Sequence, residues 1–198
     1  MNSDSSSAPR FQPKVVWALL LFTVVYRIIA SQIPALSNTS PAMALCFGGG
    51  LLLGRKFWWI PAVLMLGSDL LIGFLNGGGG IGSYTVMTIL LFCGAAWLGS
   101  RCAGWSGRTW PTMWCGVLLS SVVFYAAANT FAWIGAPEYS KSLAGWWQSQ
   151  TVGLPQYPPS WLFLRNALIG DSIWCALAGF VFFFQKHGVA QTATPESV

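Results

Sequence analysis

A chain of 198 residues holds one domain of ordinary size, and at 8% charged against 55% hydrophobic residues, with a mean hydropathy of +0.58, it lies far below the roughly 25% charge of a soluble globule. That excludes a water-soluble fold and points to an all-α, multi-pass protein of the cell inner (plasma) membrane. The net charge of +5 comes without a basic stripe or aromatic–basic interleaving, which excludes nucleic acid as a partner.

Residues 1–14 are polar and serine-rich and form an expected disordered tail. The apolar run from Val15 continues through Arg27 to Ile33, too long for a signal-peptide core and carrying a charge foreign to one. It is read as a retained first span over residues 15–32, ended by Pro34. A short second span occupies 41–54 and carries Gly48-Gly49-Gly50, which lets a neighbouring helix approach closely. Arg55-Lys56 separates it from a third span over 57–75, broken by the Asn76 to Gly80 stretch. The fourth, fifth and sixth spans cover 84–100, 110–134 and 161–184. Between the last two, residues 142–148 form an expected short interfacial helix bearing Trp146 and Trp147. Residues 15–185 thus make a single six-helix transmembrane domain, and 186–198 a second disordered cytoplasmic tail.

Six spans put both termini and two loops on one side. That side carries Arg10, Lys14, Arg55, Lys56, Arg101, Arg108 and Lys186, against Lys141 alone on the other. The basic bias orients the chain with both termini in the cytoplasm. Tryptophans follow the same division: Trp58, Trp59, Trp105 and Trp110 at the inner boundary, Trp133, Trp146, Trp147 and Trp161 at the outer one.

Against this apolar background Arg27, Asp69, Arg165 and Asp171 stand out, because a charge at the centre of a span costs about 2.5–3.5 kcal/mol on insertion scales. With the orientation above, all four fall in the outer half of the bundle, in the company of Asn38, Ser40, Asn129, Gln148 and Asn166. Two readings follow. The charges form two pairs that only lock helices together, or they line an outward-facing ligand pocket with a few convergent polar groups in an apolar wall. On the pocket reading the ligand-binding residues are Arg27, Asn38, Asp69, Asn129, Trp146, Gln148, Arg165, Asn166 and Asp171. Arg27, Asp69 and Asp171 are expected to converge, with Arg27 as the nearest cation. Arg165, six residues before Asp171, points to another side of its helix and is placed nearer the mouth.

Chemistry beyond binding finds no support. The five cysteines have no CxxC spacing, and His187, the one histidine, lies in the C-terminal tail, so no metal site and no nucleophile–base pair is expected. No glycine-rich phosphate loop followed by lysine occurs, so the chain cannot use ATP by itself. It is read as a non-enzyme without cofactor.

The run from Ser37 to Gly49, the Ser68-Asp69-Leu70-Leu71 helix end, Ser142-Leu143-Ala144-Gly145 and Arg165-Asn166-Ala167-Leu168-Ile169-Gly170-Asp171 resemble an uncharacterised family of small bacterial membrane proteins over residues 15–185. More loosely, six short helices, a glycine-rich second helix and an outward polar pocket are similar to the substrate-binding (S) components of energy-coupling-factor vitamin transporters. That resemblance implies capture of a vitamin-like small molecule from outside, and docking on a separate energising module. The first span departs from it by lacking the small-xxx-small face those proteins dock with. The alternative is a structural or accessory membrane subunit.

Overall fold

The computed structural model describes residues 13–78, 81–102 and 110–191. Expectations resting on the tail before residue 13, on Trp105 and Arg108, and on residues 192–198 fall outside them. Among the described residues the regular elements are helices and no strand occurs: α1 (Pro13–Gln32), α2 (Ala42–Leu53), α3 (Ile60–Leu75), α4 (Ser83–Cys102), α5 (Trp110–Gly135), α6 (Leu143–Gln150) and α7 (Ser160–Gln191).

Helix ends follow local chemistry. Pro34 cannot continue α1 and instead starts a 3-10 turn over Pro34–Leu36. Gly54, at φ 72°, ends α2 in a conformation that suits glycine, and Pro61 sits in the first turn of α3, where its missing N–H leaves no bond unmade. Ser142 caps α6, its hydroxyl accepting from the Gly145 N–H at 3.2 Å. α7 runs on to Gln191, past the boundary drawn at residue 185.

α2 is the centre of the bundle. Ala42, Met43, Cys46, Phe47 and Leu51 are all buried, against Leu64 and Met65 of α3, Phe92 and Ala96 of α4, Met113 and Val117 of α5, and Cys175 of α7. Small residues let α2 and α4 touch backbone to backbone. A methyl group on Gly50 would lie 2.0 Å from the Ala96 carbonyl oxygen, and one on Gly99 2.2 Å from that of Phe47. This is the close approach expected of the Gly48-Gly49-Gly50 run.

By length and composition, Ser83–Cys102 and Trp110–Gly135 can cross a membrane. α2 and α3, with 12 and 16 residues, fall short of the roughly 20 a separate crossing needs. Joined through Gly54–Phe57 they form a pair bent by 118° that counts as a third span or a re-entrant element. The described helices therefore give two or three such spans where six were expected.

Candidate functional site

At one end of the bundle, the ends of α1, α3 and α5 and the starts of α2, α4 and α7 surround a cavity of about 470 Å³. Helical periodicity selects its wall. Tyr84, Thr88 and Phe92 line it at four-residue steps on α4, as do Phe163, Ala167 and Asp171 on α7, and Met65 and Asp69 on α3. α5 contributes Ser121, Phe124, Tyr125, Ala128, Asn129 and Ala132, again a single face. Arg27, Met43, and Ser37, Asn38 and Ser40 of the α1–α2 connection complete it. Arg55, Lys56 and Arg101 lie at the opposite ends of α2 and α4.

Asn38 and Tyr84 are exposed, so the cavity reaches the surface beside them. Asp171, 3% exposed, lies deep. The connection over residues 33–41 is held by neighbours on both sides: Tyr26 and Thr39 share a hydroxyl–hydroxyl bond of 2.9 Å, Trp174 Nε1 donates to the Thr39 carbonyl at 2.7 Å, and Asn166 Nδ2 donates to that of Ser37 at 3.2 Å. Within it Asn38 takes φ 61°, the one non-glycine residue with positive φ among those described, in a region where asparagine is less strained than most side chains.

Of the two ion pairs the four charges could make, one is present among the described residues. Arg27 Nη2 donates to Asp69 Oδ1 at 2.6 Å, while Arg27 Nε donates to Ser68 Oγ at 2.8 Å. This pair ties α1 to α3 with its side chains 17% and 24% exposed. Asp171 has no cation beside it among the described residues. Its Oδ2 accepts a hydrogen bond from the Ser121 hydroxyl, so Arg27 spends its charge on Asp69 and a hydroxyl serves Asp171. Arg165 is exposed, lies over the Trp161 ring at 5.6 Å and donates to Asn166 Oδ1 at 3.1 Å, on a different side of α7 from the buried Asp171.

Of the nine residues singled out from the sequence, Arg27, Asn38, Asp69, Asn129 and Asp171 line the cavity. The other four have partners elsewhere. Trp146 Nε1 donates to Thr130 Oγ1 at 3.0 Å, docking α6 on α5, and Gln148 Nε2 donates to the Gly153 carbonyl at 3.0 Å, closing a turn. Asn166 holds the 33–41 connection, and Arg165 rests on Trp161.

Sequence reasoning passed over Thr88, Ser121, Tyr84, Phe92, Phe124 and Tyr125. A polar residue inside an apolar span was the available signal for Thr88 and Ser121. The aromatics carry none, since a phenylalanine in a span reads equally as core, lipid face or cavity wall. Thr88 differs from the rest: it is 4% exposed, and its hydroxyl, buried in the wall, has no hydrogen-bond partner among the described residues. No group of three or more His, Cys, Asp or Glu that could hold a metal occurs among the described residues.

The chain matches a family of unknown function, DUF6580, over residues 8–192, and belongs to it. Neither curated proteins nor solved structures gave a match.

Proposed function

We propose that this member of the DUF6580 family captures a small molecule in the cavity and takes it up across the membrane, in the manner of an energy-coupling-factor S component working with a separate energising module. The observation that carries the reading is the cavity itself. Its volume of about 470 Å³ suits a vitamin-sized ligand, since small-molecule pockets run from about 300 to 1,000 Å³ with mostly apolar walls and few polar groups. Native mass spectrometry of the gently purified protein tests it: a retained small molecule of that size is expected, and its consistent absence defeats the reading.

With it goes a topology of six crossings, both termini cytoplasmic, in the inner membrane. The apolar surface supports it. Trp17, Leu21, Val25 and Ile29 form an exposed stripe along α1 at four-residue steps, between 45% and 66% exposed, where lipid is the fitting neighbour. Reporter fusions along the chain test the topology, and one active outside when placed after Gly188 overturns it.

The Arg27–Asp69 pair favours a second reading, an accessory subunit whose intramembrane charge serves only to join helices. The two readings differ at Asp171, which lies deep in the cavity wall with no cation beside it among the described residues.

A further inference from the structure

Resting on the binding reading above, we propose that the cavity selects a small organic monocation, an ammonium or amidinium on an aromatic or apolar body. Its charge is met by Asp171, and a second polar group of the same molecule meets the Thr88 hydroxyl. The first observation is the charge count. The charged side chains lining the cavity are Arg27, Asp69 and Asp171. Arg27 and Asp69 neutralise each other at 2.6 Å, which leaves Asp171 with a neutral hydroxyl as its partner and, among the described residues, no cation to offset its charge when it is ionised. A buried charge without a counter-ion is costly, and a cationic ligand supplies what the fold omits.

The second observation is independent of charge. The Thr88 hydroxyl is buried in the same wall without a hydrogen-bond partner, although a helical threonine ordinarily bonds the carbonyl one turn back. An unmet buried hydroxyl costs about 1–3 kcal/mol, and a ligand group in the cavity meets it. The third is the wall. Phe92 and Phe124, edge to face at 5.3 Å, line the cavity with Tyr84, Tyr125 and Phe163, and aromatic faces attract organic cations. Size and walls exclude a bare metal ion: about 470 Å³ is far more than one ion fills.

The test uses the full chain in lipid nanodiscs and three probes of one shape: tyramine, its neutral isostere tyrosol, and the anionic para-hydroxyphenylacetate, each titrated calorimetrically. Tyramine is expected to bind, tyrosol more weakly, and the acid least. Asp171→Asn should weaken tyramine by about 10-fold to 100-fold, the loss of a charged hydrogen bond, and leave tyrosol unchanged. Thr88→Val keeps the shape and removes the unmet hydroxyl, so it should raise the unfolding temperature yet weaken tyramine, an opposition that a merely structural threonine does not produce. If Asp171→Asn does not fold, the ranking of the three probes and Thr88→Val decide. Equal or tighter binding of tyrosol or the acid, or indifference of tyramine to both substitutions, overturns the cation preference and leaves the binding reading standing. Should no probe bind, the molecule retained in native mass spectrometry decides. A cation supports the proposal, a neutral or anionic molecule overturns it alone, and no retained molecule overturns the binding reading as well.

Discussion

Splitting the Arg27–Asp69 pair gives the sharpest energetic expectation. Arg27 makes two charge-assisted bonds, 2.6 Å to Asp69 and 2.8 Å to Ser68. Asp69→Asn preserves the shape of that partner but removes its charge, leaving a guanidinium inside the bundle that only hydroxyl and amide groups meet. Truncating one side of a fully buried pair costs about 3–5 kcal/mol. Here the side chains are 17% and 24% exposed, so cavity water recovers part of that, and a loss of about 2–3 kcal/mol is expected for Asp69→Asn or Arg27→Met. The combined Arg27→Met, Asp69→Asn variant leaves no orphaned charge and should lie within about 1 kcal/mol of the parent, as replacements of buried pairs that orphan no charge often do. Unfolding in mixed micelles titrated with a denaturing detergent measures all three. The implied coupling exceeds about 2 kcal/mol, well above the average of about 0.6 kcal/mol for side-chain hydrogen bonds within membranes. A measured coupling at or below that average refutes the reasoning, and with it the view that the pair matters to α1–α3 docking.

Gly50→Ala and Gly99→Ala each place a methyl near 2 Å from a carbonyl oxygen, so α2 and α4 must part by more than an ångström. Each should cost about 3 kcal/mol, read from the same detergent titration. Ser142→Ala removes the α6 cap at a cost of about 1 kcal/mol, and should speed hydrogen exchange in residues 143–150 without altering α1–α5. Asn38→Val forces a β-branched side chain to φ 61° and should cost about 1–3 kcal/mol, whereas Asn38→Gly should be neutral or slightly stabilising; thermal melts of the two separate backbone strain from loss of the side chain.

The α-helical class and several helix ends were legible in the chain because they depend on neighbours in sequence, whereas the start of α3 and the end of α7 were not. Pro34 stops α1 and Ser142 starts α6 through groups only a few residues away, and α2 ends at Gly54 where the Arg55-Lys56 break was drawn. The pertinence of Arg27, Asp69 and Asp171 was legible too, since a charge in an apolar span is costly wherever its helix packs. Which charge meets which was not. Pairing depends on distances between helices, and the bundle brings Asp69 to Arg27 while leaving Asp171 to Ser121. The bend between α2 and α3 was hidden as well, because Arg55-Lys56 reads as a loop between two spans whether the helices on either side run through the bundle or turn by 118°. The cavity belongs wholly to the tertiary structure. Its aromatic wall and the unpartnered Thr88 hydroxyl exist only where faces of α4, α5 and α7 meet around a space. Sequence determines which face each helix offers, and packing alone determines what that face encloses.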